Sequence, residues 1–126
     1  MNKLKYAFML CFALTTAPAF GFPVGQTISN FRLPDLNGTF HADTDYRGKV
    51  LILAVIGYNW TTCLAAGPSL ETELYQANKN NNQVAMLGLD VYNGSRTQLT
   101  GFGATTKITF PLLQMAGGNT SDLNRE

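Results

Sequence analysis

This sequence contains few cysteines and histidines and has little net charge. Its 126 residues include two cysteines and one histidine, and the formal net charge at pH 7 is +1. No second histidine or cysteine stands at ligand spacing from His41, so we predict no metal site. Because no basic stripe is present, neither nucleic acid nor an anionic membrane surface is an expected partner.

Long apolar runs are also missing, and no segment has the length of a membrane span. The short run Ala7–Leu14 follows the positively charged Met1–Tyr6 and precedes small residues that include Ala17–Ala19. These features are typical of a secretory signal peptide. We therefore predict a signal peptide over residues 1–19, with cleavage up to residue 21 as the alternative. The mature protein is then exported, periplasmic or secreted, and makes no membrane contact.

Signal cleavage removes Cys11 and leaves Cys63 as the single cysteine of the mature chain. Small exported domains often depend on disulfides, yet one cysteine cannot form an internal disulfide. Cys63 therefore stays free, pairs with another molecule or is kept reduced by a dedicated partner. Residues 22–126 are enough for one small domain, and they contain no repeat or Pro-rich linker.

Two apolar segments predict buried strands of a parallel sheet. Val50–Ile56 is apolar on both faces, as in a central strand covered by helices on either side. Val84–Val91 predicts a second buried strand, and a strand, helix, strand order of this length closes by a right-handed crossover into parallel pairing. Ile108–Leu113 predicts a short extended segment, which Pro111 excludes from a central position. With so few elements, one face of the sheet is expected to have little to pack against.

A helix is predicted between the two strands, from about Cys63 to Asn78. Pro68 lies inside it and predicts a kink near the first turn. The periodicity assigns apolar and polar residues to opposite faces, the apolar set being Leu64, Leu70, Leu74 and Ala77, and the polar set Glu71, Glu73 and Gln76.

Two further local patterns predict a second helix and a hairpin. Ser95 and Gln98 match a capping box, although Gly101 and Gly103 are expected to make the helix that follows short or irregular. Phe31–His41 alternates apolar and polar residues around an Asn-Gly dipeptide, which favours a tight hairpin turn.

Cys63 is the leading candidate for chemistry because it lies between the first apolar strand and the helix. Free N–H groups of a first helical turn carry partial positive charge and favour thiolate, the reactive form of cysteine. Ligands and chemistry also collect at the carboxyl edge of open α/β sheets. A nucleophilic redox thiol is therefore one interpretation of Cys63. The other is a buried, inert cysteine that behaves as a small apolar residue.

The neighbours of Cys63 leave alternatives open. Trp60 either shields the thiol and contributes to a partner-binding face, or simply packs beside the site. Thr61 or Thr62 could hydrogen-bond the thiolate, while Thr62 would serve equally well as a helix N-cap. Asp90, at the end of the second strand, either faces the active edge or is a solvated strand-end carboxylate, which is the commoner case.

The order and spacing of these segments resemble the thioredoxin-like redoxin family. That family includes peroxiredoxins of the alkyl hydroperoxide reductase and thiol-specific antioxidant type, and exported thiol-disulfide oxidoreductases. The resemblance implies an α/β, thioredoxin-like fold with a partly parallel sheet, flanking helices and an N-terminal hairpin. The residues that carry it are Gly25, Phe31, Leu33, Asp35, Asn37-Gly38, Tyr46 to Val50, Cys63, Pro68 and Leu70-Glu71.

The sequence departs from both branches of that family. Exported oxidoreductases carry Trp-Cys-x-x-Cys with a Pro five residues later; Cys63 and Pro68 keep the second spacing, but Trp60 stands where the first Cys should be. Peroxiredoxins carry a Thr three residues before their single reactive Cys and a Pro four residues before that Thr. Here Trp60 and Ile56 occupy those places. The cis-Pro loop and the Arg of the family would lie beyond Glu126, so we expect an incomplete domain.

The resemblance implies thiol-based oxidoreduction through Cys63, with single-cysteine peroxide reduction ahead of disulfide exchange. The substrate would be a peroxide or a protein disulfide, and an external thiol reductant such as a thioredoxin-like protein would be needed. No cofactor is implied. The alternative is a non-catalytic or truncated redoxin-like module that binds a partner. Exposed edges of the predicted sheet would permit a homodimer.

Overall fold

The computed structural model describes Gly25, Thr27, Ile28 and residues 30–114. The predicted signal peptide, its cleavage sites, Cys11 and residues 115–126 lie outside the described residues. A 3-10 helix spans Asp43–Tyr46, and a π-helical segment spans Leu70–Tyr75. The other elements in chain order are β1 (Arg32–Pro34), β2 (Phe40–Ala42), β3 (Val50–Ile56), α1 (Thr61–Ser69), α2 (Gln76–Asn78), β4 (Val84–Asp90), α3 (Arg96–Thr106) and β5 (Leu112–Leu113).

The predicted parallel sheet is confirmed, and β4 is the middle one of its three described strands. The sheet order is β3-β4-β5, and β3 pairs with β4 from Val50 opposite Val84 to Ile56 opposite Asp90. Within the described part of the chain, β3 is therefore an edge strand, and Val55 on it is 61% exposed. The prediction that β3 is central is therefore not confirmed among the described strands, because an apolar run on both faces does not show which strands pair with it.

The N-terminal hairpin is confirmed, with a longer connection than the Asn-Gly dipeptide alone would make. β1 and β2 pair in antiparallel register. The backbone N–H of Gly38 donates to the carbonyl of Asp35 at 3.0 Å, and the N–H of Asp35 donates to the carbonyl of Thr39 at 2.8 Å. Gly38 has φ +84° and supplies the left-handed position that closes a three-residue loop. An antiparallel bridge from Asp35 to Leu113 attaches this hairpin beside β5.

Both faces of the sheet carry a buried cluster, contrary to the expected one-sided core. The hairpin and the residue before it contribute to one cluster, which consists of Phe31, Leu33, Leu87, Leu89 and Leu113. Helices cover the other face. Their cluster consists of Ile56, Cys63, Met86, Leu99, Phe102, Ile108, Phe110 and Leu112.

The predicted first helix is present as α1, the π-helical segment and α2 in succession. It begins at Thr61, and the departure from α-helical geometry follows Pro68 rather than lying in the first turn. Beyond Pro68 the predicted faces are only partly correct: Leu70 packs against the core and Glu73 is exposed as expected, but Glu71 is buried. Leu74 and Ala77, predicted on the apolar face, are exposed. A π-helical segment changes the angular spacing of side chains, so a periodicity of 3.6 residues assigns its faces incorrectly.

Glu71 is buried because polar donors surround its carboxylate. Thr109 donates its backbone N–H to Oε2 at 2.8 Å and its hydroxyl to Oε1 at 2.6 Å, and Gln76 donates to Oε1 at 2.5 Å. Burial acts to raise the pKa of Glu71, but these hydrogen bonds outweigh it and lower the pKa below its usual value. The carboxylate thus joins the π-helical segment to the loop before β5.

The helix α3 has the predicted capping box and is more regular than its glycines suggest. Ser95 accepts the N–H of Gln98, and the Gln98 side chain accepts the N–H of Ser95. Its residue Thr106 packs against Gly67 of α1, where a Cβ would lie 2.5 Å from the Thr106 Cβ. This close approach sets the position of α1 against α3. None of the helices described here is both long and apolar enough to cross a membrane.

Candidate active site

Cys63 lies where the sequence placed it, in the first turn of α1 after the carboxyl end of β3. It is the third residue of that helix. Its side chain points inward and belongs to the helix-side cluster with Ile56 and Leu99, so that Cys63 is only 9% exposed. The position therefore combines the electropositive start of a helix with an apolar surrounding.

The contact that most favours an anionic sulfur comes from a backbone amide. Gly57 donates its N–H to the Sγ of Cys63 at 3.4 Å. Gly57 begins a turn that connects β3 to α1, in which the N–H of Trp60 donates to the Gly57 carbonyl at 3.0 Å. A hydrogen bond to an ionised acceptor is stronger than one to a neutral acceptor, so this amide interacts more strongly with a thiolate than with a thiol.

The turn is fastened from the neighbouring strand by Asp90, which is fully buried. Its Oδ1 accepts the backbone N–H of Tyr58 at 3.2 Å and that of Tyr92 at 3.3 Å, and its Oδ2 accepts the N–H of Gly94 at 2.6 Å. The prediction of a solvated carboxylate was wrong. Three convergent N–H groups compensate the cost of burying the charge, and a strand-end position alone does not reveal them.

Trp60 stands at the surface beside the thiol. Its side chain is 51% exposed and stacks on Tyr92, with ring centroids 6.5 Å apart. Tyr92 also lies close to Gly57, since a Cβ at Gly57 would come within 2.8 Å of the Tyr92 ring. The hydroxyl of Tyr58 accepts a hydrogen bond from Gln98 at 2.9 Å. Aromatic side chains therefore surround the turn that presents its amide to Cys63.

Thr61 and Thr62 occupy the first two positions of α1 and are exposed. The N-cap is Trp60, so Thr62 does not cap the helix. The hydrogen bond to Sγ comes from Gly57, and the structure places neither hydroxyl in a hydrogen bond with the sulfur. A threonine hydroxyl that binds the thiolate during reaction stays a prediction, and so does the shielding role of Trp60.

His41 lies in the hairpin, in a cluster separate from Cys63. Its Nδ1 is 2.6 Å from the Tyr46 hydroxyl, and its Nε2 is 3.2 Å from Oδ2 of Asp35. Burial acts to raise the pKa of Asp35, but hydrogen bonds from His41 and the turn amides lower it overall. Among residues 30–114 and the three described residues before them, no group of three His, Cys, Asp or Glu side chains could hold a metal ion.

The sequence shows neither the contact of the Gly57 amide with Cys63 nor the burial of Asp90. A backbone N–H carries no sequence signal, because every residue other than proline has one. Asp90 did carry a signal. A carboxylate that ends a buried strand four residues before a glycine indicates a loop whose amides turn back onto the side chain, as Gly94 does here.

No protein-family model and no curated protein matches the sequence. Solved structures do match its fold. A proposed protein disulfide isomerase from Bacteroides thetaiotaomicron superposes with a TM-score of 0.70 and 23% identity, over 79% of this chain and 60% of its own. A secreted disulfide oxidoreductase from Mycobacterium tuberculosis superposes with a TM-score of 0.57 and 22% identity, over 66% of this chain and 58% of its own. The peroxidoxin BcpB from the same organism superposes with a TM-score of 0.62 and 18% identity, over 79% of this chain and 63% of its own.

This chain thus spans about three fifths of the length of these structures. The neighbours include both branches that the resemblance named, disulfide oxidoreductases and a peroxidoxin. At such identities the shared property is the architecture. The described chain therefore has a thioredoxin-like fold, as the sequence resemblance implied.

Proposed function

We propose that this protein is a thiol-dependent oxidoreductase in which the single cysteine Cys63 reduces peroxides. The observation that carries the proposal is the hydrogen bond from the Gly57 amide to the Sγ of Cys63 at 3.4 Å, within the first turn of α1. Helix start and amide both favour negative charge on the sulfur, and thiolate is the nucleophilic form. The thioredoxin-like fold supports a redox role for a cysteine in this position.

The low exposure of Cys63 favours a peroxide over a protein disulfide as substrate. At 9% exposure the sulfur is reached by a molecule of the size of hydrogen peroxide more easily than by a disulfide on a protein surface. Attack on a disulfide needs an accessible, in-line approach of the two sulfurs. Disulfide exchange would therefore require α1 or its preceding turn to move first.

The proposed reaction begins when the Cys63 thiolate attacks one oxygen of the peroxide. The S–O bond forms, the O–O bond breaks, and the leaving oxygen takes up a proton to give water or an alcohol. Cys63 is thereby oxidised to a sulfenic acid. An external thiol then condenses with the sulfenic acid to give a mixed disulfide and water. A second thiol releases the Cys63 thiol and leaves the reductant as a disulfide.

The remaining elements of the proposal concern location and partners. Export follows from the sequence pattern of residues 1–19, and a secreted protein among the fold matches supports it. The reductant would be an external thiol such as a thioredoxin-like protein, because the mature chain has no second cysteine to resolve the sulfenic acid. We propose no cofactor beyond this thiol. A homodimer through the exposed edge of β3 remains part of the hypothesis.

A non-catalytic redoxin-like module that binds a partner is the competing proposal. The observation that favours it is the packing of Cys63 against Ile56 and Leu99, which is also what an inert apolar cysteine would show. In that case Trp60 and Tyr92, each about half exposed, would serve as the contact surface for the partner.

Peroxide turnover with a Cys63→Ser variant separates the two proposals. Hydrogen peroxide consumption is measured with dithiothreitol as reductant, and the sulfenic acid is trapped with dimedone and located by mass spectrometry. We expect the wild type to react faster than glutathione at the same pH, with the adduct on Cys63. Cys63→Ser should abolish both signals, whereas Cys11→Ser, which alters the predicted leader only, should keep them. Turnover that survives Cys63→Ser would overturn the catalytic proposal. A folded wild type with no turnover and no adduct would favour the binding module.

A further inference from the structure

We propose that Asp90 is a positioning residue for Cys63: its buried carboxylate holds the Tyr58 amide, so that the adjacent Gly57 amide stays directed at the sulfur. This inference rests on the proposed function of Cys63. Asp90 does not touch the sulfur in the contacts described above, and it acts through the turn between β3 and α1.

The argument begins with two successive backbone amides. The N–H of Gly57 donates to Sγ of Cys63 at 3.4 Å, and the N–H of Tyr58 donates to Oδ1 of Asp90 at 3.2 Å. The two N–H groups lie in successive peptide planes that meet at the Cα of Gly57, so Asp90 holds the plane next to the one that carries the N–H donor to the sulfur. Loss of the Asp90 contact would free the turn to rotate and would weaken the contact of Gly57 with the sulfur.

The sheet register brings Asp90 to this place. Asp90 pairs with Ile56, the residue before Gly57, and the ladder continues through a hydrogen bond from the Val91 N–H to the Ile56 carbonyl at 2.9 Å. The carboxylate therefore lies beside the point where β3 leaves the sheet. A side chain at the end of a neighbouring strand can support this turn without any contribution from α1.

Asp90 also holds the loop between β4 and α3, which packs against the turn. It accepts the N–H groups of Tyr92 and Gly94, which hold the loop between β4 and α3. The Tyr92 ring then packs against Gly57 and stacks on Trp60. The same carboxylate therefore positions the turn directly through Tyr58 and indirectly through Tyr92. Because Asp90 is fully buried, its two carboxyl oxygens contact these amides and not the solvent.

The test compares Asp90→Ala, Asp90→Asn and the matched control Asp35→Asn. Asp35 is also a buried carboxylate that accepts two backbone N–H groups, those of Asn37 and Thr39, but it lies in the hairpin. The measurement is the rate of Cys63 alkylation by iodoacetamide from pH 5 to pH 10, a range that includes the ordinary thiol pKa of about 8.5. Urea unfolding of each variant gives its folded fraction, and alkylation is compared where all variants are folded.

We expect Asp90→Ala to move the midpoint of the alkylation profile upward by at most about one pH unit, the effect if the weakened Gly57 contact with the sulfur is lost completely. Asp90→Asn keeps a carbonyl oxygen for the Tyr58 amide and should move the midpoint less. Asp35→Asn should lower stability and leave the midpoint unchanged. A merely structural role predicts that all three variants lose stability and keep the wild-type midpoint.

An unchanged midpoint in the Asp90 variants would overturn the inference. If Asp90→Ala does not fold, Asp90→Ser decides instead, because its side chain stays polar but is one bond too short to hold the Tyr58 amide. The assay uses neither peroxide nor reductant, so it separates this inference from the proposed function. A shifted midpoint without peroxide turnover would support the positioning role and contradict the peroxidase. Peroxide turnover with an unchanged midpoint would support the peroxidase and contradict the positioning role.

Discussion

Substitution of Gly67 and of Gly101 by alanine should change stability in opposite directions. Both residues lie inside helices, where alanine is favoured over glycine by about 1 kcal/mol. At Gly101 a Cβ meets nothing within 4 Å, so Gly101→Ala should keep most of that gain. At Gly67 a Cβ would lie 2.5 Å from both the Cβ and the Cγ2 of Thr106, which is closer than packed atoms can approach. Overpacking of this kind costs about 1–3 kcal/mol.

Thr106 has little freedom to relieve the clash. It is fully buried and branched at Cβ, and its hydroxyl donates to the Phe102 carbonyl at 2.8 Å. Gly67→Ala should therefore lose up to about 2 kcal/mol net, after the helix-propensity gain of about 1 kcal/mol is subtracted from the overpacking cost. For a domain of this size each kcal/mol moves Tm by about 4–8 °C.

Thermal and urea unfolding followed by circular dichroism at 222 nm measure both variants. We expect Gly101→Ala to melt above the wild type and Gly67→Ala below it. Because α1 carries Cys63, Gly67→Ala should also alter alkylation of Cys63, while Gly101→Ala should not. Equal stability of the two variants would refute the reasoning, since it would show that α1 and α3 do not pack at the described separation.

Three further changes test other parts of the structure. Glu71→Gln should lower the free energy of unfolding by about 2–3 kcal/mol, because a carboxylate that accepts three hydrogen bonds is replaced by an amide facing the Thr109 N–H. The control Glu73→Gln, at an exposed position, should change the free energy of unfolding by less than about 0.5 kcal/mol. The pKa of Glu71 is lowered in the folded protein, so its contribution to stability is complete above the unfolded-state pKa and is lost as pH falls through the folded-state pKa. Glu71→Gln should therefore flatten the acid side of the profile of stability against pH, measured by urea titration. Ser95→Ala removes the side-chain acceptor of the capping box and should lower stability by about 1 kcal/mol, and a Ser95→Asp variant that fails to restore it would contradict the cap.

Local patterns predicted the elements that depend on neighbouring residues. The capping box of α3 needs only the side chains of Ser95 and Gln98 and the backbone next to them, and it forms as expected. The hairpin turn depends on the glycine at position 38, which takes the left-handed conformation. The crossover from β3 to β4 is parallel because the connection is long enough and one handedness is favoured.

The same reasoning failed where distant segments supply the partner. The burial of Glu71 depends on Thr109, which is 38 positions away in the chain, and that of Asp90 depends in part on Tyr58, which is 32 positions away. A carboxylate without a known partner is expected in solvent, because burial of an unpaired charge is costly. Only when the loops converge do N–H groups compensate that cost, and the expected exposure is then reversed.

For the candidate site, the sequence by itself determined that one cysteine follows an apolar strand and lies at the start of a helix, near Trp60 and two threonines in the chain. These are consequences of covalent order and local periodicity. Tertiary structure decided which way the sulfur points, that the Gly57 amide reaches it, and that Asp90 fastens the turn from the next strand. It also decided that β3 pairs with β4 alone among the strands of residues 30–114. The physical reason is that hydrogen bonds between segments, and the burial they compensate, depend on distances that only the packed chain defines.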